Sequence, residues 1–183
     1  MAAQDRAFVL AGGRSRRFGS DKARHPVAGV PMAALVAQVL GSSGLPVALV
    51  VRDRGLASLG LPLLVEPPGP VHALSGVLAA LQAVGPRGRA LIAPCDLPAL
   101  TPQAVQTLIG GAPPRIAKGQ PLLAWLPGTL AETVRKWRDE GAPVRALVAV
   151  CAQVALDPTA LRNANRPADL APPTPRDTDG QGD

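Results

Sequence analysis

Short apolar runs and amphipathic segments alternate along the chain, and their periods separate strands from helices. Residues 6–11 (RAFVLA), 46–51 (PVALVV), 63–65 (LLV) and 90–93 (ALIA) are continuous apolar stretches of strand length. Such runs suit strands buried on both faces of a parallel sheet. Between them, residues 32–40 have helical character and reach Gly41 as a stop signal. Residues 74–83 place Leu74, Val77, Leu78 and Leu81 at i, i+3, i+4 and i+7, one face of a helix. Thr101-Pro102 opens a helix over 102–109, a capping hydroxyl followed by proline at the first helical position. Strands alternating with helices predict an α/β sandwich with a mainly parallel sheet.

Beyond Gly110-Gly111 the pattern is less regular. Residues 115–117 and 122–126 are expected to pair as a hairpin-like addition to the sheet. Thr129-Leu130-Ala131-Glu132 has capping-box spacing, so a helix is expected from there through Glu140. Leu130, Val134 and Trp137 form its buried stripe, and Gly141 ends it. Residues 144–150 give a further helix candidate and 153–156 a strand, followed by a loop at 163–167 and a short helical turn at 167–170. From Ala171 onward Pro, Thr, Asp and Gly dominate without an apolar period, so 171–183 is expected to be a disordered tail. That leaves residues 1–170 as one domain, a length sufficient for a sizeable core.

Composition narrows the functional classes. Hydrophobic residues make up 47% of the chain but aromatics only 2%, so Val, Leu, Ala and Ile must build the core. Cys95 and Cys151 make neither a disulfide framework nor a zinc site. With no secretory h-region and no apolar run of membrane-spanning length, a reducing cytoplasm is expected, with no membrane contact. A net charge of +6 raises the question of nucleic acid. The arginines are spread along the chain, however, with almost no aromatics to stack bases and no one-faced basic stripe. Nucleic acid is therefore an unlikely partner, and the charge serves to attract small anions.

Two anchors carry the chemistry. The first strand runs into Gly12-Gly13-Arg14-Ser15-Arg16-Arg17-Phe18-Gly19-Ser20-Asp21-Lys22. Paired glycines permit φ > 0 and close approach of backbone N–H groups to a ligand. Three arginines and a lysine just beyond suit a polyphosphate, whose charge must be neutralised where water is displaced. It is not a P-loop, because five residues separate Gly13 from Gly19 and Ser20 follows where that motif has lysine. Nor is it the dinucleotide fingerprint, because Gly12 and Gly13 are adjacent. The second anchor is Asp96, in Pro94-Cys95-Asp96-Leu97-Pro98, a carboxylate on a stiff backbone directly after the fourth strand candidate. Mg²⁺ takes one or two carboxylates together with phosphate oxygens and water, which suits Asp96; a helix N-cap or a solvated turn is the alternative. Ligands bind over the carboxyl ends of strands in such sheets, so both anchors point to one site. Cys95 reads as a small buried residue, with no neighbouring histidine to activate it.

The string Leu10-Ala11-Gly12-Gly13-x-Ser15-x-Arg17-x-Gly19-x-Asp21-Lys22 resembles the N-terminal signature of nucleotidyltransferases that build cofactors and activated sugars. It looks most like the molybdenum cofactor guanylyltransferases; related cytidylyltransferases more often carry Leu-Ala-Ala-Gly, and Phe18 stands where the family usually has Met. His25-Pro26-Val27-Ala28-Gly29-Val30-Pro31 and Cys95-Asp96-Leu97-Pro98 match further family segments, the latter carrying the magnesium-binding Asp. Asn163-Ala164-Asn165-Arg166-Pro167-Ala168-Asp169-Leu170 resembles the family's Asn-x-Asn-Thr-Pro-x-Asp-Leu close, with Arg166 in place of Thr. The resemblance covers residues 6–170. It implies a Rossmann-like three-layer α/β/α sandwich with a nucleotide-binding N-terminal half and an acceptor-binding C-terminal half.

By the same resemblance, Leu10, Ala11, Gly12 and Gly13 meet the nucleotide through backbone groups, Arg17 and Lys22 grip its phosphates, and Asp96 holds Mg²⁺. Arg17, Lys22 and Asp96 are then the catalytic candidates. Glu66 in Val65-Glu66-Pro67, where Asp is commoner, would accept from N1–H and N2–H of guanine, a pairing cytosine lacks; a surface Glu before a proline turn is the alternative. The family's Gly-Pro-Leu-Ala-Gly helix opening is displaced here. Gly69-Pro70 lie early and His72-Ala73-Leu74-Ser75-Gly76 takes the place, so only Gly76 carries over and His72 is read first as a structural hydrogen-bonder. Asn163 and Asn165 suit a pterin edge or a phosphate, or simply form the turn. The implied reaction transfers GMP from GTP to the phosphate of molybdopterin or molybdenum-molybdopterin, releasing pyrophosphate, with delivery partners from cofactor biosynthesis. A sibling enzyme using CTP or another NTP, and a non-catalytic nucleotide or nucleic-acid binder, are the alternatives.

Overall fold

The apolar runs pair as parallel strands in the computed structural model, which describes residues 5–13, 21–69, 71–165 and 169. In chain order the elements are β1 (Arg6–Leu10), β2 (Pro26–Val27), β3 (Val30–Pro31), α1 (Met32–Gly41), β4 (Val47–Val51) and β5 (Leu63–Val65). They continue as α2 (Ala73–Val84), β6 (Arg89–Pro94), α3 (Pro102–Ile109), β7 (Arg115–Ala117), β8 (Gln120–Pro127), α4 (Ala131–Asp139) and β9 (Ala152–Val154). Seven strands form one sheet in the order β5-β4-β1-β6-β8-β7-β9, and β2 with β3 makes a separate small hairpin. Within the seven-stranded sheet, neighbouring pairs are parallel except those made by β8, which runs against both β6 and β7. The expected hairpin therefore forms, and it extends the sheet on the β6 side.

Strand side chains alternate between two faces, and each face receives its own helices. Ala7, Val9, Leu49, Val51, Leu91, Ala93 and Trp125 pack with Val36, Leu40, Val105 and Leu108 of α1 and α3. Phe8, Ala48, Val50, Ala90, Ile92 and Leu126 pack on the other face with Leu74, Val77, Leu78 and Leu81 of α2 and Val134 of α4. The three-layer α/β/α sandwich read from the sequence is thus the observed one. Small and branched side chains fill both layers, with Phe8 and Trp125 supplying bulk on opposite faces.

The helix ends teach more than the helix bodies. Thr101 caps α3 as expected, its hydroxyl accepting from Ala104 N at 3.2 Å. Gly41 is not the stop of α1 but its last residue. The hydroxyls of Ser42 and Ser43 close that end by donating to the carbonyls of Val39 and Leu40, both at 2.6 Å. The capping box at Thr129 does not form. Gly128–Leu130 is a 3₁₀ turn, and α4 starts at Ala131 without a side-chain cap. The cause is tertiary: Gly128 N donates to Gly88 O at 2.8 Å, so the chain enters α4 wedged against the 85–88 turn. Likewise Val144–Ala149 is a 3₁₀ turn rather than an α-helix, and the last strand is Ala152–Val154 rather than 153–156. The tail 171–183 and most of the 167–170 turn lie outside the described residues.

Gly128 sets a stability prediction. A Cβ there would fall 1.9 Å from Gly85 O, a backbone atom that cannot swing aside. Gly128→Ala is expected to cost about 3 kcal/mol, the upper end for overpacking, and to lower Tm by roughly 6–12 °C. An unchanged thermal melt would show that the 85–88 turn yields freely.

Candidate active site

The strand order reverses between β1 and β6, because the chain builds outward through β4 and β5 on one side and through β6 on the other. At that point the loops beyond neighbouring strands diverge and leave a crevice. Leu10 pairs with Pro94, and Cys95 N continues the ladder to Leu10 O at 3.1 Å. On the other side Ala11 N donates to Val50 O and Glu66 N to Val51 O, both at 2.8 Å. Four loops are thereby held at the same rim. They enclose a cavity of about 490 Å³ whose lining includes Leu10, Ala11, Gly12, Gly13, Lys22, Glu66, Gly76, Asp96 and Asn165.

One cluster in this cavity is cationic and anionic in turn. Asp21 caps the 3₁₀ turn Lys22–Arg24 by accepting from Ala23 N at 3.1 Å, which aims Lys22 inward. Lys22 Nζ then donates to Asp96 Oδ2 at 3.0 Å and to Asn165 Oδ1 at 3.1 Å. Ala164 N donates to the Asp96 carbonyl at 2.9 Å, fastening the 163–165 loop beside the aspartate. Asp96 is not a helix cap, since Thr101 caps α3. Its Oδ1 is buried and has no hydrogen-bond partner among the described residues. A buried, unpaired carboxylate oxygen is costly unless something completes it. Together with its partner oxygen on Lys22, it has the chemistry to hold a hard cation such as Mg²⁺, which needs few protein carboxylates.

The second cluster surrounds Glu66. Its carboxylate is wedged between two glycines: a Cβ on Gly12 would lie 2.7 Å from Glu66 Oε1, and one on Gly76 would lie 3.2 Å from it. Gly76 sits in the first turns of α2, where an added Cβ would also press Leu10 at 3.1 Å. Burial pushes the Glu66 carboxyl above the usual carboxylate range, and the nearby Arg52 guanidinium partly draws it back. Arg52 Nε lies 3.7 Å from Glu66 Oε2, ion-pair range without a hydrogen bond. His72 is the N-cap of α2, its Nδ1 accepting from Leu74 N at 3.1 Å. An accepting Nδ1 leaves the ring proton on Nε2.

Most of the residues expected from the sequence meet here, and three details differ. Neither Gly12 nor Gly13 takes a positive φ. Gly12 is required for its close approach to Glu66, while an added Cβ on Gly13 would meet nothing within 4 Å among the described residues. Asn163 is not among the cavity residues; its amide oxygen accepts from Gln120 Nε2 on β8. Arg17, with Arg14 and Arg16, lies outside the described residues. Arg52 was not anticipated, although a charged residue directly after the apolar run of β4 obeys the same carboxyl-end rule as Asp96. Cys95 is no nucleophile: burial, with the Asp96 charge, pushes its thiol up to about 12. Among the described residues no helix is long and apolar enough to cross a membrane.

The desolvated Glu66 makes a pH-dependent prediction. Its folded pKa lies above its unfolded value, so the folded state binds that proton more tightly. Stability from this group is complete at low pH and is lost as pH rises through the folded value. Glu66→Gln removes that loss. Its Tm relative to the parent is expected to improve between roughly pH 4 and pH 7, by a few degrees at most because the site is partly solvated. A Tm difference that stays flat or falls over this interval would refute the desolvation.

Comparison with known proteins identifies the family. The family described as the MobA-like NTP transferase domain matches residues 7–156. A protein of Sinorhizobium fredii named molybdenum cofactor guanylyltransferase is 33% identical over 168 residues, covering 82% of this chain and 77% of its own length. One of the same name from Rhodobacter capsulatus is 36% identical over 113 residues, so the chain spans only 58% of that relative's length. The crystal structure of a molybdopterin-guanine dinucleotide biosynthesis protein A from Archaeoglobus fulgidus shares the fold, with a TM-score of 0.73 at 22% identity, covering 90% of this chain and 94% of that one. With the family matched across the whole sheet, the chain belongs to the MobA-like NTP transferases.

Proposed function

We propose that this protein transfers GMP from GTP to the phosphate of molybdopterin or molybdenum-molybdopterin, forming molybdopterin guanine dinucleotide and releasing pyrophosphate. The observation that carries the reading is the cavity itself: Lys22, Asp96 and Asn165 converge at one part of it and Gly12, Glu66 and Gly76 at another. The names of the relatives from Sinorhizobium fredii and Rhodobacter capsulatus point the same way.

In this mechanism the guanine lies against Glu66, which accepts from N1–H and N2–H. The Ala11 and Gly12 backbone lines the way to the triphosphate, and the missing Cβ of Gly12 leaves room for the Glu66 carboxylate beside it. Lys22 turns from Asp96 to the phosphates as a point charge, and Arg17 adds a forked donor. An oxygen of the acceptor phosphate forms a bond to the α-phosphorus in line as the bond to the bridging oxygen of pyrophosphate breaks. The nucleophile is already an anion, so no general base is required. Catalysis is positioning and charge neutralisation. Mg²⁺ held by Asp96 would supply further neutralisation on the triphosphate.

Acceptor binding falls to the C-terminal half, where Asn165 faces the cavity and Asn163 steadies its loop through Gln120. Delivery partners in cofactor biosynthesis would bring the acceptor to this side. The setting is the cytoplasm, where the free thiols Cys95 and Cys151 stay reduced.

Pyrophosphate release with molybdopterin, Mg²⁺ and either GTP or CTP tests the reading; turnover with CTP alone would make the chain a cytidylyltransferase. Asp96→Ala is expected to lose roughly 1000-fold or more in kcat without a lower Tm, and full activity would remove it as the metal ligand. Lys22→Ala is expected to lose about 100-fold in kcat/KM for GTP, and unchanged kinetics would exclude its phosphate contact.

A further inference from the structure

We propose that Arg52 is a specificity-determining positioning residue, one that holds the Glu66 carboxylate ionised and oriented at the base-binding end of the cavity. The inference rests on the guanine reading of Glu66 above and adds what makes that reading physically workable. To accept from both N1–H and N2–H, Glu66 must be an anion, because a protonated carboxyl would present an O–H to a donor. Its surroundings oppose that state. Gly12 and Gly76 close on the carboxylate from two sides, and its side chain is only 13% exposed.

Among the described residues, the titratable groups that line this cavity besides Glu66 are Lys22, Arg52, His72, Cys95 and Asp96. Lys22 is engaged with Asp96 and Asn165, and the accepting nitrogen of His72 is committed to the start of α2. Among the described residues, Arg52 is the cation in ion-pair range of Glu66, approaching from the end of β4 while His72 and Gly76 approach from α2. Its Nε is buried yet makes no hydrogen bond among the described residues. A buried guanidinium N–H left without an acceptor is not a resting arrangement that stability alone would favour. It is explained if the fork is set to complete its bonding when a base fixes the carboxylate. The pair then reads guanine through its 2-amino group and N1–H, and Arg52 never needs to touch the base.

Arg52→Met, which keeps length and removes charge, tests this on the full chain with GTP and with inosine triphosphate, which lacks the 2-amino group. The expected result is a KM for GTP about tenfold higher at pH 7 with kcat nearly unchanged. The preference for GTP over inosine triphosphate should shrink by a similar factor. The acid limb of kcat/KM for GTP should move to higher pH, since Glu66 loses its nearby cation. Arg52→Lys should restore the limb, and Arg52→Gln gives a second uncharged variant if methionine impairs folding. In a Glu66→Gln background the loss of Arg52 should have no further effect on GTP preference.

An Arg52→Met or Arg52→Gln enzyme with the parental acid limb and the parental GTP preference overturns this inference alone. A parent with no preference for GTP over inosine triphosphate at any pH overturns the guanine reading, and this inference with it.

Discussion

The parallel pairing of β1 with β6 is the constraint on which the site depends. Leu10 opposite Pro94 fixes how far each strand runs before its loop begins. A slip of one residue would turn every side chain to the other face and carry Gly12 away from Asp96. The register is protected from both sides, because Val9 and Ala93 belong to one core layer and Phe8 and Ile92 to the other. Burial on two faces therefore does more than stabilise the sheet. It sets the distance between a glycine and a carboxylate 84 positions apart, Gly12 and Asp96.

Around that fixed rim the molecule accepts local costs. Glu66 is partly stripped of water, Arg52 keeps an unbonded Nε, and Asp96 keeps an unbonded Oδ1. Each is a small destabilisation, and all three face one cavity, whereas the buried and likewise unpaired Trp125 Nε1 lies in the core. Unmet polar groups gathered where a ligand would meet them are what separates a binding site from a surface hollow. Cys95, by contrast, sits beside Asp96 but is held as a neutral thiol.

Much of this was legible in the chain. Continuous apolar runs gave the parallel strands because nothing else buries them on both faces, and Gly12 and Asp96 followed from their positions after those strands. Illegible were features decided by contacts remote in sequence. Thr129 looked like a cap, but Gly128 is pinned against the 85–88 turn and forces a 3₁₀ entry. The doublet at Gly12-Gly13 suggested a left-handed turn, whereas Gly12 is there to admit a carboxylate from residue 66. Asn163 and Asn165 looked equivalent, yet β8 captures the first and leaves the second for the cavity. Arg52 escaped notice because its importance lies in its distance to Glu66, and distance is not written in a lone charged residue.

The ion pair between Lys22 and Asp96 has one more consequence. With its ammonium seated on Oδ2 and tied also to Asn165, the protein carries its own counter-ion for the acidic residue. On the proposed reading, a divalent ion arriving alone would compete with a tethered cation, whereas one arriving on a triphosphate would bring the anion that draws the lysine off. On that same reading, this pair favours metal and nucleotide entering together.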